Sequence, residues 1–122
     1  MKTSQQKVKE FTVLAGQATP SEPTESTGAV RKLRHALIRE ELEEYWCARD
    51  IIEIADAIGD MLYVVLGAAV AHGLDIEPIF EEIHRSNMTK FIDGHRDEAG
   101  KWIKGPSYSP ANLGPILAGQ GM

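Results

Sequence analysis

The sequence predicts an all-α fold, four helices in a bundle followed by an irregular C-terminal tail. Three observations carry that expectation. Apolar residues from Val30 to Trp46 recur at steps of three and four, the spacing of one helical face. A long apolar run from Ile51 to His72 opens on an aspartate start signal and stops at Gly73. No alternating apolar pattern is long enough for a real sheet. At 122 residues the chain is expected to be a single domain, 1–122.

The first helix is expected from Ser4 to Ala15, with Val8, Phe11, Val13 and Leu14 apolar and Gly16 as its C-terminal cap. Gln17 to Gly28 is polar and rich in Pro, Ser and Thr, and reads as an ordered loop. The second helix runs from Gly28 to about Ala48, with Thr27 as N-cap. Asp50 with Glu53 three residues on reads as a capping box for the third helix. Asp75 caps a fourth, Ile76 to about Thr89, with Ile76, Ile79, Phe80, Ile83 and Met88 on its inner side. Beyond it, Asp93-Gly94, Ala99-Gly100 and Gly105-Pro106 are turn signals. Phe91-Ile92 and Trp102-Ile103 are the segments able to pair as a short hairpin.

The composition sets limits on function. Hydrophobic residues are 43% and charged residues 25%, ordinary for a globular domain. Thirteen Lys plus Arg face 18 Asp plus Glu, a net charge of −5, which argues against nucleic acid as a partner. One cysteine, Cys47, excludes an intrachain disulfide and argues against a cysteine-based metal site. The N-terminus, Met1 to Lys7, lacks the apolar core of a signal peptide. The longest apolar stretch, Met61 to Ala71, falls short of the ~20 residues that a bilayer needs. A cytoplasmic chain with no membrane partner is expected. Its core is small, so a dimer that shares helices is expected too.

Resolved by position, the charge is not mild. Glu40 to Asp60 holds eight acids and one base, Arg49. His84 to Lys104 holds Arg85, Lys90, Arg96, Lys101 and Lys104 against Asp93, Asp97 and Glu98. On the third helix Glu53, Asp56 and Asp60 lie at about 0°, 300° and 340°, a narrow stripe on an otherwise apolar helix. A helix apolar all round is a buried one, and buried carboxylates are costly unless paired or bound to metal. No Lys or Arg stands four residues on to pair with this stripe. A solvated face and a simple cap are the competing explanations. On the second helix Glu40, Glu41 and Glu44 span about 100° of arc, and alone they read as a charged outer face. A short turn around Ala48–Asp50 would bring Glu41 and Glu44 near Glu53 and Asp56. Such a group needs a counter-charge, and oxygen-only ligands select hard cations, Mg²⁺ before Mn²⁺. Lys90, Lys101 and Lys104 could then neutralise a polyphosphate, and Asn87, one turn before Lys90, offers a donor and an acceptor. Tyr108 and Trp102 suit either stacking on a base or closing the core. Each tail residue, taken singly, reads first as a solvated surface residue.

At this point the residues resemble a known family. Leu37-Ile38-Arg39-Glu40-Glu41-Leu42-Glu43-Glu44, followed by Glu53-Ile54-Ala55-Asp56 and on to Asp60, is similar to the EExxE…ExxD signature of the all-α nucleoside triphosphate pyrophosphohydrolases. His84-Arg85-Ser86-Asn87-Met88-Thr89-Lys90 resembles the segment that closes the fourth helix in the MazG-like branch. Gly100-Lys101-Trp102-Ile103-Lys104-Gly105-Pro106-Ser107-Tyr108 resembles the tail of its phosphoribosyl-ATP pyrophosphohydrolase-like members, and Val8-Lys9-Glu10-Phe11 fits their first helix. One departure is the connection from Glu44 to Glu53, only eight residues long, where the family usually has more. It leaves open which of Glu40, Glu41 and Glu44 faces Glu53.

The resemblance implies Mg²⁺, or Mn²⁺ in its place, on Glu41, Glu44, Glu53 and Asp56. It makes Glu40 either a further ligand or the base for the attacking water, with Glu41 beside it in the catalytic pair. Asp60 becomes a metal or sugar contact. Asn87, Lys90, Lys101, Lys104 and Tyr108 become substrate-binding residues. The implied reaction is attack of water on the α-phosphorus of an NTP or dNTP, giving a nucleoside monophosphate and pyrophosphate. Deoxynucleotides are the first expectation for substrate and phosphoribosyl-ATP the alternative. A homodimer is implied, with a tetramer as the alternative. Two rival readings have less behind them. A di-iron bundle needs Glu-x-x-His on two helices, and only Glu81-Glu82-Ile83-His84 fits. A non-catalytic helical module would not need all five motif carboxylates.

Overall fold

The protein is described by a computed structural model covering residues 1–122. Its helices begin where side chains satisfy the free N–H groups of a first turn. α1 (Ser4–Leu14) opens on a complete capping box: Thr3 Oγ1 accepts from Gln6 N, and Gln6 Oε1 accepts from Thr3 N. α2 (Gly28–Cys47) is capped by Thr27, α3 (Ile51–Ala71) by Asp50, and α4 (Ile76–Met88) by Asp75. All four caps accept hydrogen bonds through side-chain oxygens. The expected helices are therefore present, each within a residue or two of its expected bounds.

The chain divides into two compact units, Met1–Leu74 with Met122, and Asp75–Gly121. In the first, α3 packs against both α2 and α1. The buried apolar side chains there are Val8 of α1 and Ala57, Leu66, Ala69, Val70 and Ala71 of α3. Small residues on α3 allow close approach. A Cβ on Gly67 would lie 2.6 Å from Arg34 Nη1, so this glycine makes room for a buried arginine. Arg34 Nη2 donates to Gln17 Oε1 at 2.7 Å, which ties α2 to the start of the polar loop. Thr24 N donates to His72 O (2.8 Å), and His72 Nδ1 lies 2.9 Å from Thr24 O, so the loop is held at its middle as well.

The expectation that α3 is buried all round is not met within one chain. Ile51, Ile52, Ile58 and Leu62 are exposed, because α1 and α2 cover only part of its circumference. At 21 residues α3 is also long and apolar enough to cross a membrane by length and composition, more than the shorter Met61–Ala71 stretch suggests. It packs on both α1 and α2 and carries an acidic stripe at its start.

In the second unit α4 runs into a 3₁₀ turn, Thr89–Phe91. The expected hairpin exists but with a different first strand. β1 (His95–Arg96) pairs antiparallel with β2 (Trp102–Ile103), His95 opposite Ile103 and Arg96 opposite Trp102. Phe91 stays in the helical turn and its ring lies 4.8 Å from that of Trp102, while Trp102 Nε1 donates to Lys90 O (2.8 Å). Those contacts hold Phe91-Ile92 out of the ladder. The end of the tail, expected to be irregular, forms a short helix, α5 (Gly114–Gly119), with proline in its first turn.

The tail is fastened to α4 by side chains. Ser86 Oγ donates to Ser109 O (2.8 Å), and Ser109 N donates to Thr89 Oγ1 (2.8 Å). Glu82 accepts from Arg85 and from Asn112 N, contacts that hold its carboxyl down at about 2.

Gly73 is the tightest point of the first unit. It has φ +65°, and a Cβ would lie 2.1 Å from Glu22 O. Gly16 shares the positive φ but meets nothing. Gly73→Ala should therefore cost about 2–4 kcal/mol and Gly16→Ala about 1 kcal/mol in urea unfolding. Equal costs would contradict the close packing of the loop on Gly73.

Candidate active site

Three glutamates on consecutive turns of α2 meet at one point. The carboxylates of Glu40, Glu41 and Glu44 offer oxygens that all lie within 4.8 Å of one another. Helical spacing brings Glu44 beside both others, since it lies three residues on from Glu41 and four from Glu40, positions that share a side of the helix. No lysine or arginine forms an ion pair with any of them. Glu41 Oε2 is sealed from solvent and has no hydrogen-bond partner. Its carboxyl is pushed up to about 7, by burial first, then by its hydrogen bond to Glu44 and by repulsion from Glu44, Asp60 and Glu40.

α3 supplies the second set. Asp60 lies within electrostatic reach of Glu41 across the α2–α3 seam. Arg34 meets Gly67 on the same seam. Both pairings fit one antiparallel register, which puts Glu44 nearly level with Ala57, beside Asp56, and Glu53 nearly level with Ala48. Asp56 is exposed, one turn before Asp60. Glu53 is the acid set apart, and by this register Glu44 is the nearest of the three α2 glutamates to it.

Glu53 also departs from the expected capping box. Asp50 Oδ1 accepts from Glu53 N (2.8 Å), as expected. The return bond goes elsewhere: Glu53 Oε1 accepts from Arg49 N (3.0 Å), and the Arg49 guanidinium grips both carboxylate oxygens. That contact lowers the Glu53 carboxyl below its usual range. No base stands four residues on from the stripe, but Arg49 stands four residues before Glu53. The i,i+4 rule applied in both directions would have found it.

The predicted substrate residues lie in the second unit, and three of them, Lys90, Lys104 and Tyr108, converge. Lys104 Nζ sits 4.6 Å from the centroid of the Tyr108 ring and Lys90 Nζ 5.9 Å from it, so both lysines lie against the same ring. Tyr108 OH lies 3.1 Å from the buried Ser86 Oγ, which fixes the ring. Ser86 was not singled out by sequence, and nothing about a serine among helix residues marks it as the anchor. Lys101 stands apart in the β1–β2 turn, where its backbone pairs with Asp97, and Asn87 is exposed on α4.

The family model for phosphoribosyl-ATP pyrophosphohydrolase matches residues 8–87. The chain belongs to this family. The match takes in all six carboxylates and Asn87 and ends before Lys90. No curated protein matches the chain. The phosphoribosyl-ATP pyrophosphohydrolase family lies within the MazG-like all-α NTP pyrophosphohydrolase superfamily. The protein is accordingly a pyrophosphohydrolase, a hydrolase of phosphoric anhydride bonds with a nucleotide substrate, in a family that depends on metal.

The residues present fit a hard divalent cation. All the donors are carboxylate oxygens, they lack a cationic partner on α2, and one of them is buried and unsatisfied. In metal-free protein the raised Glu41 has a stability consequence. The folded chain keeps the Glu41 proton up to about 7, whereas the unfolded chain releases it near 4.5, so stability falls as pH rises through that interval. With metal chelated, Glu41→Gln should match the wild type at pH 4. At pH 8 it should be more stable by about 1–2 kcal/mol, the displacement being discounted for partial exposure. A difference that does not change with pH in thermal melts would contradict this.

Proposed function

We propose that this protein is a Mg²⁺-dependent nucleotide pyrophosphohydrolase that cleaves an NTP or dNTP between its α- and β-phosphates. The observation that carries the reading is the uncompensated Glu40–Glu41–Glu44 group with its orphaned Glu41 oxygen, in a chain whose family match spans it. Glu41, Glu44, Glu53 and Asp56 hold Mg²⁺ or Mn²⁺, and Asp60 adds a metal or sugar contact. Bound Mg²⁺ would lower the pKa of the attacking water and neutralise the leaving pyrophosphate.

The chain's own groups do the rest. Glu40 is either a further ligand or the group that orients the water and takes its proton, as the new bond to the α-phosphorus forms and the bond to the bridging oxygen breaks. Lys90 and Lys104, held against Tyr108, supply positive charge for the polyphosphate, and Lys101 adds to it from the turn. Asn87 orients the nucleotide through its amide. Deoxynucleotides remain the first substrate reading; phosphoribosyl-ATP is favoured by the family description itself.

The whole chain acts as one catalytic domain, in the cytoplasm, as a homodimer. The dimer is supported by the apolar surface that α2 and α3 leave uncovered, including Tyr45, Trp46, Ile51, Ile52, Ile58 and Leu62. The same surface could serve a tetramer.

Two measurements test this reading together. Glu41→Gln and Asp56→Asn should each lower Mg²⁺-dependent pyrophosphate release by ~100-fold or more with helical circular dichroism intact. A panel of NTPs, dNTPs and phosphoribosyl-ATP then identifies the substrate. Full activity in both variants would sink the assignment, and a sedimentation mass of 13.4 kDa would refute the homodimer.

A further inference from the structure

Arg49 is the single base between Glu40 and Asp60, and it is wholly committed to one acid. Its backbone N–H and its Nε donate to Glu53 Oε1 (3.0 and 3.3 Å), and its Nη2 donates to Glu53 Oε2 (2.9 Å). One residue thus occupies both oxygens of Glu53. The connection between α2 and α3 enforces this. Only Ala48, Arg49 and Asp50 join the helices, and Asp50 fixes the first turn by accepting from Glu53 N. The contact is nonetheless easy to open: the Arg49 side chain is 84% exposed and that of Glu53 39%. Exposed pairs at this spacing are weak, and an arginine returning to water keeps its hydration.

We propose that Arg49 is a built-in counter-cation for Glu53 that a divalent ion displaces when the site loads, which makes Arg49 a residue that sets metal affinity. The inference rests on Glu53 being a metal ligand, as in the function proposed above. Without metal, the guanidinium neutralises Glu53 while Glu40, Glu41 and Glu44 repel one another unassisted. On loading, Glu53 exchanges the guanidinium for the ion, and Arg49 is released to solvent with its charge. No covalent bond changes and no proton moves in the exchange. Arg49 acts through Glu53, so it is a positioning residue and not a catalytic one.

The test is a titration of the full chain with Mn²⁺ in the absence of nucleotide, read by the electron paramagnetic resonance of free Mn²⁺. Wild type, Arg49→Ala, Arg49→Lys, Glu53→Gln and the Arg49→Ala/Glu53→Gln double variant are compared, each checked by circular dichroism. Arg49→Ala should tighten Mn²⁺ about two- to fivefold, and Arg49→Lys, with a single point charge, by less. In the Glu53→Gln background, Arg49→Ala should change nothing. Equal tightening in both backgrounds would mean a general field effect and would overturn the exchange. No tightening by Arg49→Ala, with weakening by Glu53→Gln, would overturn the exchange and leave Glu53 a ligand. An unchanged affinity in Glu53→Gln would remove Glu53 from the site and the exchange with it.

Discussion

Mutual repulsion among carboxylates on one side of α2 is the constraint on which the rest depends. Glu40, Glu41 and Glu44 are brought within 4.8 Å by helical spacing, and Asp60 adds its field from α3. A solvated acidic face turns its side chains into water, whereas Glu41 is half-buried and one of its oxygens is sealed without a partner. The chain holds this arrangement with strong local devices: side-chain caps at the starts of α2 and α3, a glycine at 67 that admits Arg34, and a loop pinned on Gly73. The fold therefore maintains a state that favours a proton on Glu41, and under the function proposed above a cation takes its place.

The basic half of the molecule is built by other means. Lys90 and Lys104 flank Tyr108, and the ring is fixed by the buried Ser86. The tail that carries Tyr108 is held to α4 by Ser86, Thr89, Arg85 and Glu82. These contacts give an otherwise short, strand-poor segment a defined course. Under the function proposed above, these lysines are the cations that meet the polyphosphate.

The helices were legible because caps and apolar spacing are local signals: Thr27, Asp50, Asp75, Gly16 and Gly73 each mark a boundary that the structure keeps. The grouping of Glu40, Glu41 and Glu44 was legible for the same reason, since it depends on one helix. What depended on non-local contacts was not. The first strand of the hairpin lies at His95–Arg96 because Trp102 takes Phe91 and Lys90 O as partners. The helical α5 has only a Gly-Pro start to announce it. The Arg49–Glu53 grip has a sequence signal in its four-residue spacing, with the base on the N-terminal side of the acid. The apolar faces of α3 look like core in the sequence and prove to be surface in one chain.

The central claim is that a proton on Glu41 and a divalent cation compete for one carboxylate group. Calorimetric titration of Mg²⁺ into the metal-free protein, repeated in buffers of different ionisation enthalpy, counts the protons that binding releases. With the Glu41 carboxyl at about 7, binding at pH 6 should release close to one proton per chain, falling toward none by pH 8. Mg²⁺ binding that releases no proton at pH 6, or no binding at either pH, would contradict the account.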